Sequence, residues 1–282
     1  MRKVFIIIVL PVLFSYSAFS QQSADLGVLG GAGYYVGDLN PGHPFRMPKP
    51  AFGLLYRYNI NTRVAVRAHG IYGKVAGDDA VSEANTARNL NFESKIYEGG
   101  FQVEVNFFDY FVGSEKNRIT PYIFGGINIF FFEPFGMVDD TLVALQPLKT
   151  EGQGRDFRPV PYKLHAISYP LGLGVKYNLT KQIAVGAEWG MRKTTTDYLD
   201  DVSTTYYLNQ GDPGFVLPDG ITSQMAKASD PFQTHNEGMQ RGNSRDTDWY
   251  SFAMVSVTVK FESLLTSFNK YYWILHNRKR KA

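Results

Sequence analysis

The stretch YEGGFQVEVNFF, residues 97–108, decides the fold. Tyr97, Gly99, Phe101, Val103, Val105 and Phe107 alternate with Glu98, Gly100, Gln102, Glu104 and Asn106. A period of two is a strand with one apolar and one polar face. In a water-soluble sheet the apolar face is core and the polar face is solvent. In a barrel that crosses a membrane the assignment inverts: the apolar side chains meet lipid and the glutamates point inward.

The same alternation recurs along the chain. Leu26, Val28, Ala32, Tyr34 and Val36 share one face near the start. Phe52, Leu54, Tyr56 and Tyr58 oppose Arg57, and Val64, Val66, Ala68 and Tyr72 oppose Arg63, Arg67 and His69. TPYIFGGINIFFF (120–132) is apolar on both sides, so its orientation stays open. Leu171, Leu173, Val175 and Tyr177 oppose Lys176, and Ile183, Val185, Ala187, Trp189 and Met191 oppose Glu188 and Arg192. Val255, Val257, Val259 and Phe261 close the series.

The connections alternate in length. Tight turns precede Thr62 and Lys181, and 109–118 is moderate, whereas 38–49, 77–92, 134–165 and 198–247 are long. A sandwich has no reason to put every long loop at one end. An outer-membrane barrel does, with short periplasmic turns and long extracellular loops. The polar faces carry glycine together with Arg57, Arg67, His69, Glu98, Glu104, Lys176, Glu188 and Arg192. A soluble core cannot bury so many charges without large desolvation costs. A narrow lumen explains both features, because small residues leave room for long charged ones to cross and pair. The expected fold is all-β: a transmembrane antiparallel up-and-down barrel of about eight strands, with Arg57 through Arg192 as a lumen ion network.

The ends of the chain agree. MRKVFIIIVLPVLFSYSAFS (1–20) has a positive start, a short apolar core and small residues before Gln21, which reads as a secretory signal. The 282 residues contain no cysteine, which excludes a lipid-modified cysteine and a disulfide framework. No later apolar run approaches the roughly 20 residues of a spanning helix. The net charge of +3 falls to +1 without Arg2 and Lys3, which argues against a nucleic-acid binder. The expected domains are signal peptide 1–20, barrel 21–261 and a basic amphipathic tail 262–282 on the periplasmic side.

Nothing in the spacing selects a catalytic set. The five histidines are His43, His69, His165, His235 and His276, and no G-x-S-x-G elbow occurs. Asp78 and Asp79, Asp139 and Asp140, and Asp200 and Asp201 form acidic pairs that can hold calcium or be ordinary solvated loop residues. No dinucleotide, P-loop, zinc or EF-hand spacing is present. The expectation is no enzyme, no cofactor, no metal and no small-molecule substrate. In the tail, Leu264, Leu265, Phe268, Tyr271, Tyr272 and Leu275 lie on one helical face, with Arg278, Lys279, Arg280 and Lys281 at its end. Such a helix either rests on the inner leaflet or docks on a periplasmic partner.

Three stretches go further: LQPLKTEGQG (145–154), EWGMRKTTTDYLDDVSTTY (188–206) and ARNLNFESKIYEGGFQVEVNFF (87–108). Over most of the chain to about Phe261 they resemble the PorG-type outer-membrane barrels of the type IX secretion system of Bacteroidetes. Lys149 stands where that pattern has a glycine. The resemblance implies a non-catalytic barrel that anchors or scaffolds the periplasmic ring of the secretion machine. The implied partners are outer-membrane lipid, the ring lipoprotein and that lipoprotein's own partner. A small OmpA/OmpW-like porin or ligand-binding barrel is the alternative, and a surface hydrolase a more distant one.

Overall fold

The computed structural model describes residues 23–261. The strands are β1 (Ser23–Val36), β2 (Lys49–Asn59), β3 (Val64–Asp78), β4 (Asn91–Asn106), β5 (Ile119–Val138), β6 (Thr141–Ala144), β7 (His165–Asn178), β8 (Ile183–Thr194) and β9 (Trp249–Lys260). Each long strand pairs antiparallel with its neighbours, and β9 returns to β1 over Asp25↔Lys260 to Val36↔Trp249. The result is a closed eight-stranded antiparallel barrel with β6 folded back on the outer end of β5. Closure leaves no free edge among the eight wall strands, which lipid demands because it offers nothing to bond an exposed amide.

Burial follows the inverted alternation. On β4, Phe101 is 65% exposed while Glu104 is 0% exposed. Leu54 and Leu171 face outward at 66% and 71%, whereas Arg67 and Arg192 face inward at 1%. The glutamates of the opening stretch are therefore lumenal. The ambiguous strand β5 resolves the same way, with Ile123, Ile127, Ile129 and Phe131 outside and Tyr122, Phe124, Phe130 and Phe132 inside.

The short connections, residues 60–63, 107–118 and 179–182, share one end. Residues 37–48, 79–90, 139–164 and 195–248 share the other. The strands extend further than the alternation suggests on that side, because β5 continues past Pro134 to Val138. Twenty residues at about 3.3 Å each exceed any bilayer crossing, so β5 stands well above the membrane. Pro134 is tolerated because of where it falls. Phe132 N–H still donates to Leu164, and Pro134 O already accepts from Leu145 at 2.9 Å. The missing proline N–H coincides with the break where β5 leaves β7 and takes up β6.

Candidate functional site

The eight lumen residues named above all lie inside the barrel, and they form two groups. In the lower group Glu104 is the centre. It accepts from Arg57 Nε at 2.8 Å, lies 3.2 Å from Arg67, and contacts Lys176. Arg67 also grips Glu188 through both terminal nitrogens at 2.5 and 3.1 Å, and Tyr122 donates to the same carboxylate at 2.5 Å. In the upper group Glu98 meets His69 at 2.9 Å, Arg192 Nε at 3.3 Å and the Tyr250 hydroxyl at 2.6 Å. Buried charges persist only when paired and hydrogen-bonded, and this arrangement meets that condition.

Asp25, Tyr122 and Tyr250 also belong to the network, although the sequence pattern does not single them out. Asp25 accepts from Asn59 at 2.9 Å and lies 3.9 Å from Arg57. With Asp25 included, four carboxylates (Asp25, Glu98, Glu104, Glu188) balance Arg57, Arg67, Lys176 and Arg192. The parity of Asp25 against Leu26 and Val28 is a usable signal. Tyr122 and Tyr250 carry none, because their neighbours are apolar on both faces.

The lumen is filled above and below this network. Rings of Tyr35, Phe92, Phe130, Phe132, Tyr250 and Phe252 pack the outer half. Glycines make room for rings as well as for charges. A Cβ at Gly172 would lie 2.3 Å from Phe124 Cζ, and one at Gly190 2.6 Å from the same atom. At the periplasmic mouth, residues 107–118 fold across the opening. Tyr110 inserts, donating its hydroxyl to Asn178 at 2.7 Å and its N–H to Thr62 at 3.0 Å.

The outer end is closed mainly by residues 195–248, which contain a short helix, α2 (Ser223–Ser229). The loop that carries α1 (Asp79–Ser82) packs beside them. Two of the stretches that carry the family resemblance pack on each other. Glu151 accepts from Ser203 N–H at 2.9 Å, Thr204 N–H at 3.1 Å and Thr204 Oγ1 at 2.7 Å, and pairs with Arg241 at 3.0 Å. Lys149 sits at φ 58°, the left-handed region that favours glycine. Arg88 ties three loops together through Asp79 at 2.6 Å, Arg241 O at 2.6 Å and Asp38 O at 2.8 Å.

A proton is shared where this cap meets the barrel. Tyr35 Oη lies 2.5 Å from Asp200 Oδ2 and 2.9 Å from Asp248 Oδ1, and all three residues are buried. A phenol has one proton and cannot donate to two carboxylates. One of the two carboxyls therefore supplies the second proton. Burial raises Asp200 well above the carboxylate range, with Asp38 adding to it, and burial with Asp200 does the same for Asp248. Burial also pushes Asp197 up to about 7 and Asp201 up to about 6.

The other candidates have local roles. Asp78 caps α1, and Asp79 pairs with Arg88. Asp139 meets Lys227 at 2.6 Å, and Asp201 accepts from Tyr162 at 2.7 Å. His165 opens β7 rather than lying in a loop, and its ring stands 6.0 Å from Phe131. His235 stacks on Tyr206 at 4.3 Å. Arg63 is not lumenal but pairs with Asp109 at 2.6 Å in the turns. The signal segment, His276 and the tail residues Leu264, Leu265, Phe268, Tyr271, Tyr272 and Arg278 through Lys281 lie outside the described residues.

The outer surface gives a direct test of orientation. Phe101 lies mid-strand, opposite Ala68 and Ile127. Phe101→Arg is expected to destabilise the barrel by about 2–4 kcal/mol, whereas Val105→Arg, one residue from the end of β4, costs about 0–1. Unfolding from lipid vesicles measures both. Equal tolerance at the two positions would contradict the placement of the apolar belt.

A closed barrel with an apolar outer belt and a charged interior is a membrane-spanning barrel, and the protein is an outer-membrane protein of this kind. Among solved structures it is similar to the Neisserial surface protein A, at 12% identity and TM-score 0.38, over 87% of this chain and 100% of that one. It is also similar to a major outer membrane protein from Thermus thermophilus (10% identity, TM-score 0.39, 85% and 100% covered). A third is the N-terminal β-barrel domain of Pseudomonas aeruginosa OprF (11% identity, TM-score 0.34, 84% and 99% covered). No curated protein sequence matches the chain. The family model that does match covers residues 2–207, and the chain belongs to that family, described as a domain of unknown function (DUF6089).

Proposed function

We propose that this barrel is a non-catalytic anchor that ties the periplasmic ring of a type IX protein secretion system to the outer membrane. The observation that carries the reading is the filled lumen: ion pairs, aromatic rings, Tyr110 and the outer cap occupy it from end to end. A barrel of this kind works through its two ends and its rim. The periplasmic end offers three short turns, and the sequence pattern of residues 262–282 predicts a helix with one apolar face and a basic end, of the kind that suits a groove in a ring component. The proposed partners are the ring lipoprotein and its own partner, and no substrate or cofactor is needed.

Deleting the gene should impair secretion of many cargo proteins at once. Truncation after Phe261 should leave the barrel in the outer membrane, since β9 ends at Lys260, and should release the ring components from co-purification. Retention of those components at wild-type level would sink the tail as the contact. A small porin or ligand-binding barrel is the second reading, favoured by an open cleft of about 520 Å³ beside Trp249. Loss of uptake of one solute with secretion intact would select it.

A further inference from the structure

The outer wall of β4, β5 and β6 carries apolar side chains where the membrane has already ended. Tyr72, Tyr97 and Phe131 stand side by side in register on β3, β4 and β5 and face outward, as the rings of a membrane–water interface do. The next outward row is charged: Lys74, Lys95 and Glu133. Above that row the wall stands in water. Its outward residues there are nevertheless Phe135, Met137 and Leu142, with Met137 opposite Leu142 and each of those two about half exposed. Met137 lies well past Phe131 on β5, about 15 Å higher along the barrel axis for a strand tilted by roughly 40°. An apolar patch held in water marks an interaction site.

The charges beside the patch select what covers it. Glu93 is held by Lys49 at 2.6 Å and by Lys74 at 2.7 Å. At the tip of the β5–β6 hairpin, Asp139 pairs with Lys227 at 2.6 Å, and Asp140 is exposed to solvent. Lys95 and Glu133 remain. They lie directly opposite each other, but Lys95 Nζ sits over the Phe135 ring at 4.6 Å, and neither residue forms an ion pair among the described residues. A cation and an anion side by side, each without an ionic partner, are self-complementary, because a two-fold rotation brings each one to its opposite in a second copy. A partner of a single sign satisfies only one of them. A second copy in the same membrane also presents Phe135, Met137 and Leu142 at the same height.

We propose that this wall pairs with the same wall of a second copy, as a two-fold dimer about an axis along the membrane normal. Phe135, Met137 and Leu142 pack across the axis above the membrane, and Lys95 of each copy meets Glu133 of the other. The contact is lateral, away from both ends of the barrel, so it does not depend on whether the barrel anchors a secretion ring.

The test uses the full-length protein, which has no cysteine of its own, in lipid vesicles that contain nothing else and in native outer membranes. Leu142→Cys treated with a flexible bis-maleimide should give a product of twice the chain mass in both. Val216→Cys, exposed on the cap, should stay monomeric under the same treatment. Adding Glu133→Lys to Leu142→Cys places like charges across the axis and should cut the dimer roughly tenfold or more. The swap Lys95→Glu/Glu133→Lys in the same background should restore it. The heat-modifiable gel shift of each variant should match wild type, which separates loss of pairing from loss of folding. Four results would each overturn the dimer: no double-mass product from Leu142→Cys, equal crosslinking of Val216→Cys, a swap that fails to restore pairing, or a product in native membranes that contains a different protein and no second copy.

Discussion

Replacing Glu104 by leucine should lower the stability of the barrel by roughly 3–5 kcal/mol, the cost of removing one partner from a buried ion pair. Glu104 is the position of largest effect because three cations converge on it: Arg57, Arg67 and Lys176. Leucine leaves the three buried cations facing one another. Asp25 and Glu188 remain, but Asp25 lies 3.9 Å from Arg57, and Glu188 is already gripped by Arg67 and Tyr122. Adding Lys176→Met to Glu104→Leu should recover part of the loss, because the surplus positive charge falls. That non-additivity is the signature of a shared network. Urea unfolding from lipid vesicles reads all three proteins. A Glu104→Leu barrel that unfolds at the wild-type midpoint would show that the lumen is hydrated and screens its charges.

The second large effect concerns pH and the outer cap. In the unfolded chain the aspartates titrate near 3.9. In the folded cap Asp201 is raised to about 6 and Asp197 to about 7, while Asp200 and Asp248 are raised well above the ordinary range, burial being the main cause in each. Between the unfolded and folded values the cap holds protons that the unfolded chain has released. Stability from these groups is therefore complete below about pH 4 and falls as pH rises through the folded values. Fully buried Asp201 alone contributes on the order of 3 kcal/mol across its window, at 1.36 kcal/mol per unit. Arg241 and Arg88 moderate the fall by favouring ionised carboxylates nearby. Hydrogen exchange at residues 195–248, corrected for its intrinsic pH dependence, should be best protected near pH 4 and lose protection toward pH 8. Asp200→Asn should flatten the profile, since its amide still reaches the Tyr35 hydroxyl without a proton to lose. Protection that rises with pH in the wild type would contradict the shared proton.

Much of the barrel is legible in residues 97–108. Alternation fixes which side chains share a face, and the glutamates on the polar face exclude a soluble core. The pattern of residues alone therefore places Glu98, Glu104, Glu188 and Arg192 inward. Strand β5 is not legible in this way. Its lumenal side carries Tyr122, Phe124, Phe130 and Phe132, because the barrel is filled with rings as well as ions, and an apolar interior erases the contrast between faces. The cap is hidden for another reason. Glu151, Ser203 and Arg241 meet across wide sequence separations in segments without periodicity, and hydrogen bonds to backbone amides leave no residue pattern. The acidic pair of Asp200 and Asp201 shows the same limit, since both read as solvated loop residues and both are buried.

Ion pairs, rings, Tyr110 and the cap close the lumen along its whole length. Single-channel recording of the purified full-length protein in planar bilayers tests it most directly. No stable conductance step is expected over a wide voltage range, with Glu98, Glu104, Tyr110 and the cap all in place. A steady, large conductance in the wild-type protein would contradict the closed lumen.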